Sequence, residues 1–262
     1  MSTPVGLYSI GVRGLRVPEL LQWAGSESIP FVHLRGGPRG CDLTGQPRQT
    51  LHHWRHLARQ AGVPVTGVTG DIDVGEVFAP SRTVRERARA ELERLADAAA
   101  VLGAGWVRLL GRTVPRPPLP QEDMPAPAVP VLVELHHPAW LTPAALETLH
   151  ILLERRPRLR LLADIVQLAA ALPSAGSQAD AALERVLDAT GVLHLSDDGA
   201  GLARPGRERV AALAAARIAR GQDIEVAVEW TGQPRTPAAC LARYQAARAW
   251  WAERTASPLN RT

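Results

Sequence analysis

Eight short apolar runs recur along the 262 residues, separated by polar or helix-patterned stretches, and this alternation limits the folds open to the chain. The runs span 5–10, 31–34, 63–68, 106–110, 131–135, 159–165, 192–195 and 224–230. Several are nearly continuous in Val, Leu and Ile, as expected of parallel strands covered by helices on one side and packed inside a barrel on the other. The strongest helical pattern, 82–102, places Val84, Ala88, Leu92, Leu95 and Ala99 three or four apart, and Gly103 stops it. Further helices are predicted at 17–23, 50–60, 142–154, 178–187, 206–219 and 236–255, with Thr142–Pro143 and Thr236–Pro237 as cap and first-turn pairs.

Strand alternating with helix eight times predicts a single α/β domain over 1–262, a closed (β/α)8 TIM barrel. An open Rossmann-like sheet fits less well, because Gly11, Val12, Arg13 and Gly14 follow the first strand where a G-x-G-x-x-G turn would stand. The fourth link is irregular. Residues 111–130 carry seven prolines and no helical period, so the fourth helix is expected to be short or missing.

Composition narrows the chemistry. All 30 basic residues are arginine, and the absence of lysine excludes a side-chain amine as a Schiff-base nucleophile. The net charge of +4 comes from 30 arginines against 26 acidic residues spread along helical segments, a pattern of solvated faces and not of a nucleic-acid stripe. Cys41 and Cys240 are read as free thiols, too few for a disulfide framework. Neither a basic leader nor an 18-residue apolar span is visible, so a cytoplasmic protein without membrane contact is expected.

In such a barrel the functional residues gather where strands end in their C-terminal loops. Glu134, Asp164, His194 and Glu229 stand at or near the ends of runs five to eight. A carboxylate inside a barrel strand is costly unless paired or bound to a cation, so the four are candidate ligands of one divalent ion. Three carboxylates and one imidazole suit Mn2+, Mg2+, Co2+ or Zn2+.

The local motifs are V-L-V-E-L-H at 131–136, L-L-A-D-I-V at 161–166, V-L-H-L-S-D at 192–197 and V-A-V-E-W at 226–230, preceded by A-A-V-L-G-A-G-W-V-R-L at 99–109. In order and spacing they resemble the xylose-isomerase-like barrel superfamily of sugar isomerases, ketose 3-epimerases, inosose dehydratases and endonuclease-IV-type enzymes. The resemblance implies that Glu134, Asp164, His194 and Glu229 bind the metal. It also implies that Glu134 and Glu229 act as acid and base on opposite sides of the substrate. Two departures stand out: Gln167 replaces a frequent histidine three residues after the aspartate, and Ser196 replaces a frequent lysine after the seventh-strand histidine, although Asp197 is kept. Arg204, before Pro205 and Gly206, resembles the turn after that strand and could reach a phosphate or hydroxyl.

Other substrate-facing candidates are His136, which shares the face of Glu134, Gln167, His33 and Arg35 at the end of the second run, and Arg108 on the fourth. Asp71 and Asp73 could complete a second metal site or serve a loop, and Trp230 could be outer core or a sugar-stacking wall. The expected function is a metal-dependent isomerase or epimerase of a sugar-like hydroxy-carbonyl substrate, working through an enediolate. The alternatives are a dehydratase of an inosose-like substrate, an endonuclease-IV-like phosphodiesterase and a non-catalytic barrel. The last helix, with Tyr244, Trp250 and Trp251, could cover the barrel bottom or seal a homodimer.

Overall fold

The protein is described by a computed structural model covering residues 3–117, 119 and 127–256. Eight parallel strands close into a barrel in sequence order. Strand β1 (Val5–Tyr8) leads to α1 (Val17–Ser26), β2 (Val32–Arg35) to α2 (Arg48–Ala61), and β3 (Val65–Asp73) to the short α3 (Val74–Val77) and long α4 (Arg82–Leu102). After β4 (Trp106–Leu110), the described residues contain no helix before β5 (Val131–Glu134), and residues 118 and 120–126 of that link lie outside the described residues. Then come α5 (Pro143–Glu154), β6 (Leu159–Asp164), α6 (Ile165–Ala175), α7 (Ala179–Asp188), β7 (Thr190–Asp197), α8 (Pro205–Ala219), β8 (Glu225–Trp230) and α9 (Pro237–Thr255).

The period-2 alternation of each strand sorts its side chains into two populations. Val5, Leu7, Val32, Leu34, Val107, Leu109, Val131, Val133, Leu193, Leu195, Val226 and Val228 join the large core between sheet and helices. Their neighbours point into the barrel, where Trp106, Leu132, Leu162 and Val192 form a small separate apolar cluster. That cluster fills only part of the lumen. The rest is polar and buried: His33, Thr69, Arg108, Glu134, Asp164, His194, Ser196 and Glu229.

Local details refine the sequence reading. The tail of the first run leaves the strand as a 3-10 turn (Ser9–Gly11), while β3 extends to Asp73. Thr236 caps α9 by accepting from Ala239 N, but Thr142 turns its hydroxyl away and donates to Ala139 O at 2.7 Å. Trp140, fully buried, donates from Nε1 to Gly111 O at 2.7 Å and ties the turn after β5 to the start of the proline-rich link after β4. Tyr244 and Trp251 of α9 are buried, and Tyr244 donates to Val5 O at 2.8 Å, so this helix closes over the start of β1. No helix among the described residues is long and apolar enough to cross a membrane.

Candidate metal centre

Asp164 is the last residue of β6 and pairs in register with His194 of β7, while Ser196, two residues further along β7, pairs with Glu229 of β8. Three adjacent strands thereby deliver Asp164, His194 and Glu229 to one spot, with their ligand atoms within 4.8 Å of one another. All three are buried.

Two anions at such range and depth repel each other. Burial first, then Glu229 and Glu134, push the Asp164 carboxyl up to about 7. Burial and Glu134 push Glu229 up to about 7 as well. Asp164 is held by the start of α6, whose Val166 and Gln167 amides donate to its Oδ1 at 2.8 and 2.9 Å. Its Oδ2 takes the Ser196 hydroxyl, which also lies 3.4 Å from Glu229 Oε2. Thus Ser196, noted in the sequence only as a departure, bridges the two carboxylates.

His194 carries a directional relay. Its Nδ1 lies 2.9 Å from Glu229 Oε2 and its Nε2 3.0 Å from His33 Nδ1, while His33 Nε2 lies 2.9 Å from Glu225 Oε1. Despite its burial, Glu225 is held below the usual carboxylate range by hydrogen bonds from His33 and Trp106, so it is an acceptor. Burial pushes both imidazoles down to about 4, which leaves each neutral with one N–H. His33 must then donate from Nε2 to Glu225 and accept at Nδ1 from His194 Nε2–H. The lone pair of His194 is left on Nδ1, facing the carboxylates. Tyr8 stacks on the His194 ring at 5.1 Å between centroids and hydrogen-bonds Thr69 Oγ1 at 2.7 Å, fixing the ring from the side.

Glu134 stands outside this group. Burial opposes its ionisation, yet Arg108 and His136 outweigh that effect and hold it at about 2. Arg108 Nε lies 2.8 Å from Glu134 Oε2, but its N–H does not point along that line, so the contact is an ion pair and Oε2 has no hydrogen-bond donor. His136 Nε2 lies 2.8 Å from Oε1. The expected fourth ligand is therefore engaged by an arginine on the neighbouring strand β4.

The remaining candidates separate by position. His33 is fully buried with both ring nitrogens occupied, so it lies beneath His194 and not on the substrate side. Arg108 is buried, paired with Glu134 and donating to Gly70 O at 2.7 Å. Gln167 is half-buried in the first turn of α6, and Arg35 is half-buried at the end of β2. Arg204 is exposed and donates to Ala200 O at 3.1 Å. Asp71 pairs with Arg39, and Asp73 accepts from Gly75 N and Thr113 Oγ1, so both serve loops. Trp230 is buried and donates to Pro234 O at 3.0 Å. Tyr8, Thr69 and Glu225 were missed by sequence reasoning; the only available signal was that Glu225 interrupts the eighth apolar run.

The donor set fits a divalent cation. Two crowded buried carboxylates need a positive charge, an imidazole lone pair faces them, and Glu134 Oε2 is a buried acceptor without a donor.

No protein-family model matches the chain, and no curated protein matches it in sequence. Solved structures do match in three dimensions. A xylose isomerase domain protein from Planctomyces limnophilus aligns at 18% identity over 97% of this chain and 98% of its own, with a TM-score of 0.65. D-psicose 3-epimerase from Clostridium cellulolyticum H10, solved with D-tagatose, aligns at 11% identity over 97% and 99%, with a TM-score of 0.67. The IOLI protein, solved with a bound zinc atom, aligns at 11% identity over 97% and 99%, also at 0.67. At this level of identity the likeness is one of fold, and the chain has the fold of the xylose-isomerase-like barrels.

Proposed function

We propose that the protein is a divalent-metal-dependent isomerase or epimerase of a sugar-like hydroxy-carbonyl compound. The observation that carries this reading is the convergence of Asp164, His194 and Glu229 at the C-terminal ends of adjacent strands, both carboxylates pushed up to about 7 by burial and by neighbouring carboxylates. Mn2+, Mg2+, Co2+ and Zn2+ all suit that donor set. Bound there, such an ion would polarise neighbouring substrate oxygens and acidify the C–H between them.

The protein's own groups do the rest. Glu229, at the end of β8 beside Asp164 and His194, is the carboxylate placed to exchange a proton with the substrate. Glu134, ionised and with Oε2 free of donors, accepts a substrate hydroxyl, and His136 at 2.8 Å supplies protons to it from a half-buried position. Ser196 holds Asp164 in place, while Tyr8 and Thr69 wall the site against β1 and β3. A nuclease with several metals is disfavoured, because the described residues gather one metal-ligating group and His33 lies beneath it. Dehydration begins with the same proton abstraction and stays the nearest alternative.

Elemental analysis of the purified protein beside H194A and E229Q tests the metal. Wild type is expected to retain about one divalent ion per chain, a single-ion site, and both variants to lose it. Solvent deuterium incorporation into a panel of ketoses and inososes then tests the proton chemistry. Metal content equal in wild type and variants would sink the proposal.

A further inference from the structure

At the same end of the barrel as the metal centre, the loops after β1 and β2 together with α1 and α2 border a cavity of about 890 Å³ lined by Arg13, Arg16, Arg35 and Arg39 and, among the described residues, by no acidic side chain. Such a volume suits a small ligand. Two of these arginines are neutralised locally, Arg16 by Glu19 and Arg39 by Asp71. Arg13 and Arg35 have no carboxylate partner among the described residues, and neither does Arg235 in the loop after β8, which bonds only the carbonyls of Thr231 and Gly232.

These three arginines are drawn together by the backbone. Arg13 N donates to Arg235 O at 3.0 Å, and Arg35 N donates to Ser9 Oγ at 2.9 Å, so the loops after β8, β1 and β2 share one edge of the mouth. They are close enough to repel. Burial, then Arg13, then Arg35 lower the pKa of Arg235, with Glu229 opposing them. Arg235 follows β8, the strand that carries Glu229, so this positive edge and the metal centre lie at the same end of the barrel. Arg13 and Arg35 line the cavity without a paired carboxylate, Arg235 stands on the adjoining loop, and together they make an anion receptor, since arginine grips carboxylate and phosphate through paired N–H donors.

We propose that Arg13, Arg35 and Arg235 bind an oxyanionic group, a phosphate or carboxylate, carried by the substrate on the end away from the reacting carbons. The assignment rests on the hydroxy-carbonyl reading above and narrows it to acidic or phosphorylated compounds. The site is then bipolar, with carboxylates and a cation at the reacting end and free arginines at the other.

Calorimetric titration of the purified full-length protein at fixed ionic strength tests this with inorganic phosphate, D-glycerate and, as neutral control, glycerol. Phosphate or glycerate should bind and glycerol should not; phosphate alone identifies an ester, glycerate alone a carboxylate. R13Q and R35Q should each weaken anion binding about tenfold, the loss of one charge-assisted contact. R16Q removes a charge from the same cavity that Glu19 already balances, and should change binding by less than about twofold. H194A should keep anion binding, which separates this site from the metal. Absence of binding by both anions, or equal losses in R16Q and R35Q, overturns the proposal. Parallel Mn2+ titrations keep the two readings distinct: anion binding without Mn2+ binding defeats only the metal, and Mn2+ binding without anion binding defeats only the arginine site.

Discussion

His33 Nδ1 stands 3.0 Å from His194 Nε2 at the centre of the barrel, and this contact fixes which nitrogen of His194 is free to bind a metal. Because Glu225 accepts from His33, the lone pair of His194 is left on Nδ1, toward Glu229. Replacing His33 by Phe removes the acceptor that sets this tautomer, and Mn2+ affinity should fall about 10–100-fold, the usual effect of losing a supporting contact behind a ligand. E225Q keeps an acceptor oxygen and should stay within about threefold of wild type, whereas E225M should resemble H33F. Mn2+ titration of the three variants decides, and equal affinity in H33F and wild type would refute the relay.

The carboxylate pair predicts opposite pH behaviour for metal-free and metal-loaded protein. Asp164 and Glu229 have folded-state pKa values raised to about 7, so their contribution to stability is complete below about pH 4 and is lost as pH rises through 7. In EDTA-treated protein, D164N keeps the cap acceptor for α6 but removes one repelling charge. Its Tm should exceed that of wild type at pH 8, and the difference should shrink as pH falls and vanish near pH 4. Metal binding must displace those protons, so Mn2+ affinity should rise at least about tenfold between pH 5.5 and 7.5, with proton release visible as a buffer-dependent enthalpy.

Arg108 and Glu134 form a buried ion pair whose partners depend on each other. R108M leaves Glu134 without its main counter-charge, and urea unfolding should show a loss of about 3–5 kcal/mol. The double variant R108M/E134L, which removes both charges, should recover most of that loss. A double variant no more stable than R108M would contradict this account.

Gly67 on β3 allows the Trp106 indole to lie against the backbone inside the barrel: a Cβ at residue 67 would meet the ring at 2.0 Å. G67A should destabilise the protein by about 1–3 kcal/mol through overpacking. At this chain length that lowers Tm by roughly 2–4 °C per kcal/mol. G67A/W106F, with a smaller ring, should regain part of the loss in a thermal melt.

The barrel was legible in the sequence because β-strands with two different faces leave a repeated signature, and the apolar runs match the strands to within a few residues apart from the extension of β3. The long helix at 82–102 was readable for the same reason. Helix α6 was not. Its sequence, IVQLAAALPSA, is apolar on nearly every side and contains Pro173, so it shows no helical period. At the site, sequence order brought forward Asp164, His194 and Glu229, but residue type and order carry no cross-strand distance. That Arg108 would engage Glu134, and that His33 would sit under His194, depends on strand register and side-chain direction.

Glu225 and Glu229 lie at opposite ends of the same short strand, and the two histidines link them through the lumen. Anyone re-engineering this barrel for another substrate would naturally randomise the mouth and leave its floor alone. The floor, however, holds residues 33, 106 and 225, whose identities govern how His194 presents itself above. A library that couples these positions to the mouth would explore variants that a mouth-only library cannot reach.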